Sequence, residues 1–590
     1  TFNQSGTAVI NSTTMNIGAG ASFVQTGSGQ LNATTTIIDF GGSLTIANQG
    51  TGIIEGKTDD KGSVVFSGNY NTDAALGTLG KALTSVTVNA GQVLTLDQDS
   101  YVTTFNDNGT VNQSAGTLTA ATLNIGDNDT YTQTGTGVLN TTTTNVGNGA
   151  TLTLLNQGTG IIRGAADGQG DVVFSGSYNT DAALGESLRT LASITVNAGQ
   201  VLSLDQDGDV TTLNNNGTVN QSAATLTAAT LNIGDSDTFT QSGTGVLNAT
   251  NISLGNLSTL TLANQGTGVI DGSSAGNGAL VFSGNYTTNS DIGATNSLAS
   301  ITVNAGQTLN LAHASDATSV VVAGILNKSS TNAMTGNTTI NDGAILNIAN
   351  NFTHTGNLTV GQSASGVVSV DEGVTTAVIG NYTQTANGIF QLGASSNSNY
   401  GQMTVSGTAS FASNARFDVD VNTTNTLAVG ETFLSVVSAG TVVSDGTFKV
   451  TDNSALFNFT GAINGNTIDV FVVDADSVVE IVERLGPPSA LGAAAIFDDW
   501  VLNGGDTPEV ADVLQVFGKL ETEQEVADAV ESSIPGLSAG VAQATISSIN
   551  GLTKMINSRQ DLLRGLSSGD DLIADKNFWI APYGSWTDQD

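Results

Sequence analysis

The fold this sequence predicts is all-β: a right-handed parallel β-solenoid with a C-terminal cap, followed by a short α-helical segment. Three observations carry that expectation. A long tandem repeat runs through the first half, a beat of about 20 residues runs inside it, and strand-type alternation persists with very little charge.

The long repeat comes first along the chain. Asn-Gln-Gly-Thr-Gly stands at 48–52, 156–160 and 264–268, each 108 residues after the last. Val-Asn-Ala-Gly-Gln stands at 88–92, 196–200 and 303–307, at intervals of 108 and 107. Residues 1–326 therefore read as three tandem units, 1–110, 111–218 and 219–326. At 590 residues the chain is longer than a single core supports, and a repeat array resolves that problem.

The short beat lies within each unit. Gln113 and Gln133 are 20 residues apart, Gln221 and Gln241 repeat that spacing, and Gln4 and Gln25 are 21 apart. Segments such as Gly116–Gly126 alternate apolar and polar residues and end on Gly or Asn-Gly, as strand–turn–strand segments do. A coil of this length buries its inward side chains against the coils above and below. About five coils per unit, each rising ~4.8 Å, would make residues 1–480 a rod on the order of 100 Å long. Phe66–Gly77, with its counterparts Phe174–Gly185 and Phe282–Gly293, breaks the beat and reads as a loop or short helix leaving the stack.

From about 327 the unit is lost but strand patterning continues, with further coils expected over 327–380. A cap is expected over 381–480, because a solenoid end exposes apolar cross-section and free strand edges. After Pro487-Pro488 the composition turns to Ala, Leu, Glu and Gln. Helices are expected at 490–502, 508–532 and 537–566, within a linker spanning 487–566. A final aromatic, alternating stretch occupies 577–590.

Composition narrows the function. Asp and Glu total 51 against 14 Lys and Arg, a formal charge of −37, which opposes binding to nucleic acid or anionic lipid. The chain has no cysteine, and so no disulfide, thiolate metal site or thiol nucleophile. Its two histidines, His313 and His354, stand in no recognisable catalytic motif. Some solenoids cleave polysaccharide with paired carboxylates, and pairs do occur here. Asp97 and Asp99 recur as Asp205 and Asp207, followed by Asp209; Asp127 and Asp129 recur as Asp235 and Asp237. Repetition argues against an active site, which is built once. It suits Ca²⁺ better, with Asp205, Asp207, Asp209, Asp97 and Asp99 as candidate ligands, or else plain solvated turns. The Thr-x-Thr pairs at 117–119 and 225–227 raise the alternative of a flat Thr ladder that binds ice or another surface, though such ladders also stabilise ordinary sheets. No catalytic residue and no cofactor other than Ca²⁺ is expected.

The C-terminal half resembles bacterial autotransporter passengers. Tyr382, Gln384, Gly388, Tyr400, Val405, Gly407 and Ala409 match the cap often called the autochaperone, with Met403 where Leu is usual. The stretch Phe578–Gln589, with Trp579, Pro582, Tyr583, Gly584 and Trp586, is similar to the opening strand of a translocator β-barrel. The order of cap, helices and strand also fits that family. The resemblance implies a surface-displayed or secreted structural or adhesive passenger. Its partners would be its own barrel, the outer-membrane assembly machinery, and a host-cell, matrix or bacterial surface ligand. The polar helix at 546–566 would thread the barrel, with Asn557-Ser558 a candidate cleavage point. A secreted β-helical polysaccharide-degrading enzyme is the alternative.

Overall fold

The computed structural model describes residues 1–422, 426–503, 508–518, 520–534 and 553–554. The chain is a parallel β-solenoid of about 19 turns, roughly 90 Å long at ~4.8 Å per turn.

Each full coil offers three short strands, one to each face of a three-sided column. Thr117–Ile125 shows how a corner is made. Its first half, Thr117–Ala120, pairs with Val138–Thr141, and its second half, Thr122–Ile125, pairs with Thr143–Val146. Ala121 pairs with nothing, and the inward parity switches there, from Leu118 and Ala120 to Leu123 and Ile125. The side-chain period of a strand is two, so skipping one residue turns the chain onto the next face while apolar groups keep pointing inward. One continuous hydrophobic cluster fills the column from Ile17 to Val472 and runs on into the C-terminal helices.

The tandem repeat and the coil are out of step, and this offset governs the surface. On one face the pairing runs Ser22, Ser43, Ser63, Ser85, Thr104, Thr122. Five turns therefore end at Thr122. The repeat counterpart of Ser22 is Thr130, which belongs to the following strand, on the next face. The second unit behaves alike: Thr130, Thr151, Asp171, Ser193, Thr212 and Thr230 share a face, while the counterpart Thr238 lies on the next. Each unit thus makes five and a third turns, not five, and equivalent residues of the three units point in three directions.

The segment expected to leave the stack stays in it. Phe66, Tyr70 and Leu76 are all buried, Tyr70–Asn71 pairs with Leu94–Thr95, and Leu76 bridges Ile54 and Ser100. The aromatic pair packs at 4.9 Å, and Phe174–Tyr178 and Phe282–Tyr286 repeat it at 5.0 Å. The beat is broken because this coil touches its neighbours with two-residue and one-residue strands. What protrudes is the following turn, closed by a Thr78–Lys81 bridge in the first unit and Glu186–Arg189 in the second.

The signature Asn-Gln-Gly-Thr-Gly joins coils where strands are too short to do so. Asn156 Nδ2 reaches back one coil to the carbonyls of Gly135 (2.6 Å) and Gly137 (2.9 Å). Gln157 reaches forward one coil to Asn179. Gly160 has φ +108°, and a Cβ there would lie 1.8 Å from the Thr141 carbonyl oxygen, so only glycine fits.

Parallel stacking continues to Phe448–Asp452. The column then closes with an antiparallel hairpin, Phe457–Asn464 and Thr467–Ala475, whose second strand also pairs antiparallel with Thr432–Val443. The hairpin covers an edge that further coils would otherwise extend. Helices α1 (Val478–Leu485), α2 (Leu491–Asn503), α3 (Pro508–Phe517) and α4 (Glu523–Ser533) follow. Val478, Ile481 and Val482 of α1 and Val526, Ala527 and Val530 of α4 are buried, and the two helices pack on each other. The stretch expected as one helix over 508–532 is two, parted at Gly518 and restarted by a capping box between Thr522 and Glu525. Among the described helices none is long and apolar enough to cross a membrane.

Candidate functional surface

The repeated carboxylates sit at corners of the column, where they hold the turn of a neighbouring coil. Asp99 Oδ1 accepts the Thr117 amide at 2.7 Å, and Asp207 Oδ1 accepts the Thr225 amide at 2.8 Å. Asp97 and Asp205 accept the hydroxyls of Ser114 and Ser222. Asp127 and Asp235 each accept a backbone amide one coil on, from Asn148 and Asn256, at 2.8 Å. Asp209 lies apart from Asp205 and Asp207, on the strand Gly208–Asn215, beside Thr227. Among the described residues no group of three or more His, Asp or Glu is arranged to hold a metal ion. The job these aspartates visibly do is that of turn residues, accepting main-chain hydrogen bonds.

The sheet faces carry few charges. Between Val93 and Ser253 one face presents outward Thr130, Thr132, Thr151 and Thr153 in register, then Asp171 and Val173, then Ser193 and Thr195. The Thr-x-Thr pair at 117–119 builds no ladder, because its partners are Val138 and Asn140. Thr225 and Thr227 likewise face Val246 and Asn248. Asparagine forms hydrogen-bonded ladders of three. Asn124 links Asn106 and Asn145 at 2.9 and 2.8 Å, and Asn327 links Asn310 and Asn347 at 2.8 Å.

A groove of about 690 Å³ follows one corner of the first unit, past Asn32, Thr34, Thr51 and Asp73. Asp73 is the only carboxylate lining it, and both its oxygens lie 3.2 Å from the Gly52 amide. Hydrolysis of a glycosidic bond needs two carboxyls across the bond, and this groove offers one. His354 is buried with Nδ1 unpartnered and Nε2 3.4 Å from the Asn357 carbonyl, and burial lowers its pKa. His313 lies 3.8 Å from Asp291 at the surface. Among the described residues, neither imidazole is hydrogen-bonded to a serine.

The residues behind the family resemblance hold the last coils together. Tyr382 is fully buried and donates its hydroxyl to Gln384 Oε1 at 3.0 Å. Gln384 Nε2 donates to the carbonyls of Gly388 (3.0 Å) and Arg416 (2.6 Å). This corner is also made far upstream: Gln133 Nε2 donates to Gly137, Gln241 to Gly245, and Tyr131 donates to Gln113. The Gln-to-Gly contact of this corner thus recurs along the column, whereas Tyr382 bonds the Gln384 of its own strand and Tyr131 bonds Gln113 of the preceding coil. Features confined to the end are Tyr400, which packs on Phe433 at 5.0 Å and donates to the Leu434 carbonyl at 2.7 Å, and the long strand Gln402–Phe411. Val405 and Ala409 are buried in that strand, and Gly407 donates its amide to Gly380 at 2.9 Å where the strand bends. Trp579, Pro582, Tyr583, Gly584 and Trp586, and the Asn557-Ser558 bond, lie outside the described residues.

Composition and spacing did not single out two buried ionisable groups, Asp107 and Lys328. Each stands at an inward strand position whose counterpart in another unit is a neutral amide, Asn215 or Gln221. Comparing the units position by position is the signal that finds them. No family model matches this chain, and no curated protein matches it.

Proposed function

We propose that the chain is a non-catalytic extracellular stalk with adhesive sides, carried across a bacterial outer membrane by an autotransporter-type route. The observation that carries this reading is the single apolar column, unbroken through the three units and closed by a hairpin at its C-terminal end. Such a column gives reach and stiffness. Its sides are formed by backbone ladders with Thr, Ser and Asn outward and aspartates at the corners. These suit polar, multivalent contact better than a single enclosed site.

The enzyme alternative finds little support in a groove with one carboxylate already engaged by backbone. The ice-binding alternative finds short rows of three threonines, Thr110, Thr130 and Thr151 in one and Thr218, Thr238 and Thr259 in another, which Asp171 and Ala279 interrupt.

The test uses beads coated with the whole chain, presented to epithelial cells, matrix proteins and bacteria, beside a polysaccharide panel assayed for new reducing ends. Retention on at least one surface, with no depolymerisation, is expected. Polysaccharide cleavage, or no retention on any surface, overturns the proposal.

A further inference from the structure

Asp107 ends the strand Ser100–Asp107 and points into the column between Val88 and Ile125, with which it is paired in register. It is 0 % exposed. Its Oδ1 accepts the Gly109 amide at 3.0 Å. Its Oδ2 touches neither solvent nor any hydrogen-bond partner.

The next unit shows what the site wants. Asn215 occupies the same place, between Val196 and Ile233. Its Oδ1 accepts the Gly217 amide at 3.1 Å, and its Nδ2 donates to the Thr238 carbonyl at 2.7 Å. The residue 108 before Thr238 is Thr130. The site therefore offers one donor and one acceptor. An amide serves both, and a carboxylate serves only the donor.

We propose that Asp107 enters the folded column as the neutral acid, donating its Oδ2 proton toward the Thr130 carbonyl, so that the join between the first and second units is locked by a proton. Folding of this coil takes one proton from solvent, and opening releases it.

The surroundings hold nothing that would keep the charge instead. The charged groups nearby are Asp129, with Asp127 beyond it, in the adjoining turn, and both are acidic. Tyr131 lies on the next strand with its hydroxyl committed to Gln113. The flanking strands Leu83–Val88 and Thr122–Ile125 carry no ionisable side chain. Burial raises the Asp107 carboxyl to about 7; the Gly109 amide opposes that shift and Asp129 adds to it.

Raising a carboxyl's folded pKa makes the folded coil the better proton binder. Its added stability is full below the unfolded value near 4 and disappears as pH rises through about 7.

The test is hydrogen–deuterium exchange on the whole chain between pH 5 and 8, corrected for intrinsic exchange. Peptides over 104–131 are compared with 212–239 in the native protein, Asp107→Asn and Asn215→Asp. The expected result is an opening constant over 104–131 that rises up to about tenfold per pH unit and levels above about 7, with 212–239 flat. Asp107→Asn should abolish the slope and Asn215→Asp should import it. Equal slopes in the two regions, or a slope that survives Asp107→Asn, overturns the proposal. The Asp107→Asn arm decides the matter even where Asn215→Asp does not fold.

Discussion

Gln157 uses its side chain as a peptide group: Nε2 donates to the Asn179 carbonyl at 2.6 Å, and Oε1 accepts the Asn179 amide at 2.8 Å. Gln49 with Asn71 and Gln265 with Thr287 do the same one unit before and after. The coil here lacks a strand of its own, and the glutamine supplies the missing rung. Replacing Gln157 by Ala removes both bonds and should destabilise this coil by about 1–3 kcal/mol. Gln157→Glu keeps the acceptor but sets a carboxylate against the Asn179 carbonyl, and should be no better than Ala. Exchange rates of the amides around Tyr178 and Asn179, compared with those around Tyr286, measure both effects locally.

Two glycines with similar backbones should respond very differently to alanine. Gly160 (φ +108°) has the Thr141 carbonyl 1.8 Å from where a Cβ would stand, whereas Gly199 (φ +75°) has nothing within 4 Å. Gly199→Ala should cost about 1 kcal/mol, the strain of a left-handed residue alone. Gly160→Ala adds overpacking against a backbone oxygen and should cost a further ~1–3 kcal/mol. Thermal melts of the two variants side by side check the ranking.

A charge pair is inverted between units. In the first, Glu55 accepts from Lys81 (2.5 Å) and from Thr78 (2.8 Å). In the second, Arg163 stands in the place of Glu55 and pairs with Glu186, which stands in the place of Thr78. Glu55→Arg alone sets two cations together and should destabilise the first unit. Adding Thr78→Glu should recover most of the loss, because it rebuilds the second unit's pair. A double-mutant cycle should show a coupling on the order of 1 kcal/mol, reduced by salt since Lys81 is half exposed. Additive effects would show that the inversion carries no coupling.

How much of this was legible from residues alone depended on whether a feature is written locally. Asn-Gln-Gly-Thr-Gly announced its period because each of its residues answers a local demand: Asn reaching back, Gln reaching forward, Gly yielding to a carbonyl. The corner glutamines were legible as a beat for the same reason. The rotation of each unit by one face was not legible, because it depends on how many residues pair with nothing, as Ala121 does, and sequence does not mark those. Phe66–Gly77 misled because its buried residues, Phe66, Tyr70 and Leu76, lie too far apart to look like a strand. Helix α1, which straddles the end of the stretch assigned to the cap at 480, was missed, although Ser477 as N-cap and the spacing of Val478, Ile481 and Val482 mark it. The carboxylate pairs at 97–99 and 205–207 were legible as a repeat, but the turns that Asp99 and Asp207 hold were not, because the amides they accept, of Thr117 and Thr225, stand a whole coil further on.

Lys328 offers a test of the column's interior with a definite sign. It ends the strand Ile325–Lys328, where Gln113 and Gln221 end theirs, and it is 0 % exposed. Its Nζ has one hydrogen bond, to Ser330 Oγ at 2.5 Å, and lies 5.4 Å from the Phe352 ring centre. No carboxylate is paired with it among the described ion pairs. Burial lowers its pKa to about 8 from an ordinary value of 10.5. The unfolded chain therefore binds the proton more tightly than the folded one, and stability should rise as pH goes from about 8 to about 10.5 and be flat below about 8. Restoring the corner amide by Lys328→Gln should remove that slope. It should also stabilise the coil at neutral pH by on the order of 2 kcal/mol, because the variant no longer buries an ammonium ion. Exchange of the amides over 325–348 at pH 7 and pH 10 separates the outcomes. Unchanged protection in Lys328→Gln at pH 7 would mean that the ammonium is better solvated in this corner than its burial implies.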